Sequence, residues 1–110
     1  MKKILFVCSA NKQRSKTAED FFSEKYPNYE FLSAGTNLKI CRKEGTNPLS
    51  EDMLAWADQI FVMERRHRNL IKENSNFNYE SKIIILDILD RYKYYDRTLI
   101  DLLESKISLS

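Results

Sequence analysis

Short apolar runs alternate with segments of helical periodicity along this chain. The runs lie at Lys3–Val7, Tyr29–Leu32, Ile60–Met63 and Ile83–Leu86. Short strands in which almost every residue is apolar are typical of a parallel sheet that is covered on both faces. Because a helical segment follows each run, the sequence predicts an α/β domain with the order βαβαβαβα and right-handed crossovers.

The helices are predicted from apolar spacing and from capping residues. The segment from about Ser15 to Tyr26 shows its apolar residues at helical spacing, and Pro27 follows it. The segment Ser33–Asn47 contains both glycines, Gly35 and Gly45, and is predicted to be a loop. The other predicted helices are one that begins at the N-cap Ser50 and ends near Asp58, one over Arg66–Glu73, and a last one with Asp96 as its N-cap.

Length and composition predict one compact domain over residues 1–110. A chain of 110 residues with 43% apolar residues has the usual size of a single domain. No apolar run approaches the roughly 18 residues of a membrane span, and the first residues lack the pattern of a signal peptide. We therefore expect a cytoplasmic protein without membrane contact, in which Cys8 and Cys41 are reduced. The net charge of +2 is too small to indicate nucleic-acid binding by itself.

The candidate chemistry lies where the first strand ends. Cys8 closes the strand, and five residues separate it from Arg14 and Ser15 at the start of the first helix. We call residues 8–15 the cysteine loop. A thiol at a strand end, a short loop of backbone N–H groups and an arginine at a helix N-terminus form a phosphate cradle with a nucleophile at its base. The pattern predicts phosphoryl transfer to cysteine; a buried core cysteine is the alternative.

Acidic residues follow the later strands and are candidates for proton transfer. In open parallel sheets, ligands bind beyond the carboxyl ends of the strands. Glu64 follows the third strand, and Asp87 and Asp90 follow the fourth, so we expect these carboxylates at the edge that carries Cys8. The only histidine, His67, lies in a cluster of arginines and is predicted to occupy a solvated position on its helix.

Several segments, in this order, resemble the low-molecular-weight protein tyrosine phosphatase family. They are the cysteine loop with Val7 before it, Ser33-Ala34-Gly35-Thr36, Ala57-Asp58 leading into Ile60–Glu64, and Asp87–Tyr92. Within that family the chain is most similar to the short bacterial branch. The resemblance implies a single-domain, four-stranded parallel sheet in the flavodoxin-like order 2-1-3-4, with helices on both faces. It also implies an enzyme that needs no metal or cofactor.

The resemblance implies roles for residues of the cysteine loop. Cys8 would be the nucleophile that forms a phosphocysteine, Arg14 would bind two phosphoryl oxygens, and Ser15 would hydrogen-bond the sulfur. Asn11 matches a loop asparagine of the family that is suited to a left-handed turn. The phosphate-binding residues implied in this way are Ser9, Ala10, Asn11, Lys12, Gln13 and Arg14.

The resemblance also implies an acid and a pocket wall. The family uses a late Asp-Pro-Tyr for proton transfer, and Asp90 and Tyr92 match it with Arg91 in place of proline. Asp90 would protonate the leaving oxygen and then activate water, with Asp87 as the alternative, while Asp96 is expected to cap a helix. Tyr92 would form a wall of the substrate pocket.

The chain departs from the family pattern at several positions. Ala10 replaces the loop glycine, Gln13 replaces a second loop cysteine, and Lys16 replaces a proline. The stretch between Thr36 and Ala57 is shorter than in the family and lacks its aromatic substrate loop and its His-Gly segment. The substrate side of the pocket is therefore expected to be open or rebuilt.

The sequence thus predicts a cysteine-dependent phosphomonoester hydrolase that works as a monomer. Its substrate would be a phosphorylated protein, with phosphotyrosine as the family preference, or a small phosphomonoester. One alternative is an arsenate reductase with the same anion cradle, for which Cys41 would be the only further cysteine. Another is a module that binds phosphate or nucleic acid without catalysis.

Overall fold

Strands and helices alternate through the chain, which a computed structural model describes at residues 2–75 and 79–109. The strands in this part of the chain are β1 (Lys3–Cys8), β2 (Glu30–Gly35), β3 (Gln59–Val62) and β4 (Ile83–Ile85). The helices are α1 (Arg14–Lys25), α2 (Leu38–Glu44), α3 (Glu51–Trp56), α4 (Arg65–Asn74) and α5 (Arg97–Lys106), and a 3₁₀ turn over Glu80–Lys82 precedes β4.

The strands form one parallel sheet in the order β2-β1-β3-β4, which confirms the predicted topology. β1 is central, and Leu5 lies opposite Leu32 of β2 on one side and Ile60 of β3 on the other. The chain passes from β1 to one neighbour and then back across it to the other. The end of β1, at Cys8, therefore lies at the topological switch point, where open sheets bind ligands.

Two apolar clusters cover the two faces of the sheet. Successive residues of β1 enter opposite clusters, because side chains alternate along a strand. Phe6 packs with Phe22 of α1 and Leu103 of α5, whereas Leu5 packs in the cluster that contains Leu54 of α3 and residues of β3 and α4. The centroids of the Phe6 and Phe22 rings lie 5.7 Å apart. The strands are thus held between two layers of helix, as their apolar character predicts.

The prediction of a loop over Ser33–Asn47 is wrong in its central part. β2 extends to Gly35, and α2 begins three residues later, at Leu38. Asn37 caps α2 by accepting a hydrogen bond from the Ile40 backbone N–H at 3.1 Å. Gly45, with φ at 71°, ends the helix in the left-handed conformation. The glycine that suggested a loop is therefore a helix terminator.

The helices α3 and α5 begin at residues whose side chains cap them. Ser50 accepts a hydrogen bond from Met53 N, and Asp96 accepts one from Thr98 N, which confirms both predicted N-caps. α3 ends at Trp56, slightly before its predicted end. No helix in the described ranges has the length and apolar character that a membrane crossing requires.

Candidate active site

The cysteine loop presents a row of backbone N–H groups. Thr36 N and Asn37 N donate to the carbonyl oxygens of Cys8 and Ser9, both at 2.9 Å, so these carbonyls face the β2–α2 connection. The N–H groups of residues 9–13 donate to no acceptor among the residues that the structure describes. A run of free N–H groups that leads into a helix N-terminus is a binding site for an anion.

The loop lies so close to the end of β2 that only glycine fits there. A Cβ at Gly35 would lie 2.5 Å from Cys41 Sγ and 2.6 Å from the Ser9 carbonyl oxygen. Thr46 Oγ1 donates to the Ala10 carbonyl at 2.6 Å and holds the loop from the end of α2. Ala10 does not adopt a positive φ, so alanine fits where the family has glycine. Cys41 is fully buried beneath the cysteine loop. It lies on α2 and not in the loop that was predicted over Ser33–Asn47.

Asn11 ties the cysteine loop to its surroundings. Its φ of 53° is left-handed, a conformation that asparagine tolerates better than most residues. Its Oδ1 accepts from Asn47 N at 3.1 Å, which turns Nδ2 toward two hydroxyl groups. Nδ2 donates to Ser33 Oγ at 2.8 Å and to Ser15 Oγ at 2.9 Å. Asn11 therefore fixes both the loop and the hydroxyl beside Cys8.

Cys8 is buried, with 3% of its surface exposed, and its sulfur lies 2.9 Å from Ser15 Oγ. Because Ser15 Oγ already accepts from Asn11, the Ser15 hydroxyl proton is available for the sulfur. A hydroxyl donor and the N-terminus of α1, which begins at Arg14, both stabilise negative charge on the sulfur. The sulfur thus lies between a hydroxyl donor and the start of α1.

The guanidinium of Arg14 is held at one of its terminal nitrogens, Nη1. Only 1% of Arg14 is exposed, and its Nη1 donates to Glu64 Oε2 at 2.6 Å and to the Ile88 carbonyl at 2.8 Å. Its Nη2 donates to no acceptor within the described residues. The edge formed by Nε and Nη2 makes no hydrogen bond within the described residues, although Asp90 Oδ1 lies 3.7 Å from Nε. This edge has the geometry for a bidentate contact with an oxyanion.

Glu64 holds the arginine and does not serve as a proton donor. Its Oε2 also accepts from Arg66 Nη2 at 2.9 Å. Burial acts to raise the pKa of Glu64, but the hydrogen bonds from Arg66 and Arg14 outweigh it and lower the pKa below its ordinary value. Glu64 thus remains a carboxylate between two guanidinium groups.

Of the two candidate aspartates, the structure brings Asp90 to the cysteine loop. Asp90 Oδ1 lies 3.7 Å from Arg14 Nε, and about half of the Asp90 side chain is exposed. Asp90, Cys8 and Arg14 line one cavity of about 230 Å³ together with Ala10, Lys12 and Gln13. Asp87 is exposed, takes a left-handed φ of 55° and does not line this cavity.

Tyr92 and Lys12 occupy different places around this cavity. Tyr92 is not among the residues that line it; its ring packs partly against the core cluster of Phe6, and the Arg91 guanidinium lies 5.7 Å from its centroid. Lys12 lines the cavity, and its Nζ pairs with Glu44 of α2 at 3.0 Å. Tyr92 therefore does not form the wall of this cavity that the resemblance implied for it.

The prediction that His67 is solvated is wrong. His67 is fully buried; its Nδ1 accepts from Glu64 N at 3.1 Å, and its Nε2 lies 2.9 Å from Ser9 Oγ. Because Nδ1 accepts, Nε2 carries the proton of the neutral ring and donates to Ser9. Burial, and then the charges of Arg14 and Arg66, lower the pKa of His67 to about 4. A neutral histidine thus joins α4 to the cysteine loop.

The lowered pKa of His67 predicts an acid-sensitive fold. Its ordinary value is 6.5 and its value in the protein is about 4, so between these pH values the unfolded chain binds the extra proton. The free energy of unfolding therefore falls as pH drops through this window, by up to roughly 3 kcal/mol from this residue. Urea unfolding at several pH values should show that acid lowers the unfolding free energy less in His67→Asn than in the wild type. Asparagine keeps an acceptor for Glu64 N but does not titrate.

Carboxylates also titrate in this window, but they do so in the wild type and in His67→Asn alike. The difference between the two proteins therefore reports His67. An identical fall in unfolding free energy in both would contradict the assignment of a buried neutral imidazole.

No protein-family model matches the chain, and no curated protein matches it. Solved structures do match, and many of them are low-molecular-weight protein tyrosine phosphatases. The tyrosine phosphatase Wzb from Escherichia coli, in complex with phosphate, has a TM-score of 0.77 and 20% identity over 96% of this chain and 92% of its own. SP-PTP, the low-molecular-weight protein tyrosine phosphatase from Streptococcus pyogenes, has a TM-score of 0.70 and 20% identity over 98% and 95%. The YwlE arginine phosphatase from Geobacillus stearothermophilus has a TM-score of 0.71 and 24% identity over 96% and 92%. The fold is shared across these proteins.

Proposed function

We propose that this protein is a cysteine-dependent phosphomonoester hydrolase that forms a phosphocysteine on Cys8. The observation that carries the proposal is the row of free N–H groups at residues 9–13, which leads to the Nε–Nη2 edge of Arg14 beside a buried thiol. Donors of this kind stabilise the oxygens of a tetrahedral oxyanion over the sulfur. The fold shared with Wzb and SP-PTP supports the same function.

In the first step the Cys8 thiolate attacks phosphorus in line with the leaving oxygen. The S–P bond forms and the P–O bond to the substrate breaks. The loop N–H groups and the Nε–Nη2 edge of Arg14 stabilise the charge on the transferring phosphoryl group. Asp90, on the open side of the cavity, donates a proton to the leaving oxygen so that it departs as an alcohol or phenol.

In the second step water attacks the phosphocysteine. Asp90, now a carboxylate, takes a proton from this water while the S–P bond breaks, and inorganic phosphate forms. The Ser15 hydroxyl proton, which Asn11 orients toward Cys8, stabilises the thiolate that leaves. Each group in this cycle returns to its starting state.

The substrate in this proposal is a phosphorylated protein side chain, with phosphotyrosine first. Wzb and SP-PTP are described as tyrosine phosphatases, which supports this choice. YwlE, on the same fold, is described as an arginine phosphatase, so the substrate panel should include phosphoarginine as well as phosphotyrosine peptides. The thiol chemistry requires a reducing compartment, and we propose that the protein acts in the cytoplasm as a monomer.

The experiment that tests this function is steady-state hydrolysis of para-nitrophenyl phosphate under reducing conditions across mildly acidic to neutral pH. Asp90→Asn should lower kcat by about 10²-fold, because an amide cannot donate the proton. The loss should be larger with a leaving group that is more basic than nitrophenol. The alkaline fall of kcat, which reports a protonated acid, should disappear in this variant.

Asp87→Asn is the matched control, because it changes the neighbouring aspartate that lies outside the cavity. We expect its kcat to stay within about twofold of wild type. Equal losses in the two variants would contradict the role of Asp90. A wild-type protein without hydrolysis would contradict the proposed function as a whole.

A further inference from the structure

An apolar groove leads away from the opening beside the cysteine loop, which we call the mouth. This mouth is a shallow depression that Leu38 of α2 and Leu70 of α4 line together with polar and charged residues, namely Ser9, Thr36, Asn37, Arg66 and Asp90. The same two leucines are walls of the next cavity, of about 250 Å³, which lies between the start of α2, α3 and α4. The mouth and the groove are therefore one continuous surface.

The walls of the groove are exposed and its floor is buried. Leu38 is 43% exposed and Leu70 is 40% exposed, while Leu54 and Ile71 beneath them are 4% and 3% exposed. Ile40, at 39%, adds a third exposed aliphatic side chain at the mouth. Large apolar side chains that gather around a concave surface mark an interaction site. The groove has the shape and character to bind an aliphatic side chain.

Continuity with the mouth identifies the occupant. Asp90 lines both the cavity above Cys8 and the depression that contains Leu38 and Leu70, so a segment that places its phosphoryl group over Cys8 has an open path past Asp90 into this depression. An extended segment advances about 3.3 Å per residue, so side chains two or three positions from the phosphorylated residue lie beyond the mouth. A second copy of this chain seated on the leucines would cover the same depression and obstruct the mouth.

We propose, on the basis of the proposed function, that the groove between Leu38 and Leu70 binds an aliphatic side chain of the substrate, a few residues from the phosphorylated residue. The protein is then selective for phosphorylated segments with a leucine, isoleucine or valine near the phosphate. Small phosphomonoesters reach only the cavity above Cys8 and gain nothing from the groove.

The experiment uses phosphotyrosine peptides with a polar background, in which one leucine is moved through each position up to four residues on either side. The readout is the ratio of kcat/KM for each leucine peptide to that for the all-polar peptide. We expect one position to give a ratio of about ten, the size of effect that an apolar pocket gives for added methylenes. In Leu70→Asn this ratio should fall to near one.

Ile84→Thr is the matched control, because Ile84 is also 40% exposed but lies on β4, outside the groove. It should keep the wild-type ratio. Leu38→Asn, on the opposite wall, should lose the ratio as Leu70→Asn does, and it replaces Leu70→Asn if circular dichroism shows that variant unfolded. A ratio of one at every position, or a preference that both groove variants retain, would overturn the proposal.

Measurements of peptide binding test the groove independently of catalysis. Dissociation constants of the same peptides for Cys8→Ser should show the same leucine preference, whether or not the wild type hydrolyses them. Absence of hydrolysis would contradict the proposed function, and the dissociation constants would still decide the groove. A concentration-dependent dimer that Leu70→Asn dissociates, with no leucine preference in binding, would overturn the groove proposal in favour of self-association.

Discussion

Replacement of Cys8 by serine is expected to reduce kcat for para-nitrophenyl phosphate by at least about 10⁴-fold. A serine hydroxyl stays protonated at neutral pH and is a far weaker nucleophile than a thiolate. The rest of the cradle does not depend on the sulfur, since Asn11 and the β2–α2 connection hold the loop. Steady-state kinetics measure the loss, and a thermal shift by inorganic phosphate should show that the anion still binds.

The covalent step has a direct readout. Mass spectrometry of the acid-quenched wild type should find one phosphoryl group on a peptide that contains Cys8 and none on Cys41. Cys41→Ser is the control, because its shorter side chain keeps a donor near the Ala10 carbonyl. It should retain phosphatase activity. Phosphoryl transfer to another residue, or full activity in Cys8→Ser, would exclude the phosphocysteine mechanism.

The same variants test arsenate reduction. That chemistry needs a second cysteine to pass on a disulfide, and Cys41 is the only other cysteine of the chain. An arsenate-reducing activity that Cys41→Ser abolishes, in a protein without phosphatase activity, would favour the reductase.

Arg14→Lys is expected to lower kcat/KM by about 10³-fold although the positive charge is kept. One nitrogen of the guanidinium, Nη1, holds Glu64 and the Ile88 carbonyl, and in the proposed mechanism the Nε–Nη2 edge binds the phosphoryl oxygens. A lysine has one nitrogen and cannot form both sets of contacts. The loss should be mainly in kcat, because the bidentate contact is strongest in the transition state, where charge develops on the phosphoryl oxygens.

Arg66→Lys is the comparison for this prediction. Arg66 also bonds to Glu64 but lies at the exposed rim, where its side chain is 56% accessible. Its replacement should cost less than about tenfold in kcat/KM. Equal losses in the two lysine variants would show that Arg14 acts only as a positive charge in the field of the site, and would contradict a bidentate role.

The sheet could be predicted from the sequence because its strands are nearly uniform apolar runs. The strand order came from the family resemblance, and the pairing of β1 with both β2 and β3 confirms it. The sequence does not predict α2, because Gly45 is typical of a loop, whereas its φ of 71° ends a helix. A glycine after a short helical segment carries both meanings until its backbone conformation is known.

The burial of His67 could not be predicted from the charged residues beside it in the sequence. Its arginine neighbours suggested a solvated face, yet His67 lies four residues before the buried Ile71 on the same side of α4. That spacing, with Glu64 three residues earlier at the N-cap, was the available signal. The choice of Asp90 over Asp87 rests on the family resemblance alone, because the backbone path after β4, which decides which carboxylate turns toward Arg14, cannot be predicted from the local sequence.

The Ile88 carbonyl that holds Arg14 belongs to a segment at the edge of the sheet, where Ile88 N donates to Met63 O at 2.8 Å. Any opening of that edge takes an acceptor away from the guanidinium. An anion that binds only the assembled guanidinium must therefore hold the edge closed, by mass action. Anion affinity and the stability of the contact between Met63 and Ile88 are therefore linked through one equilibrium.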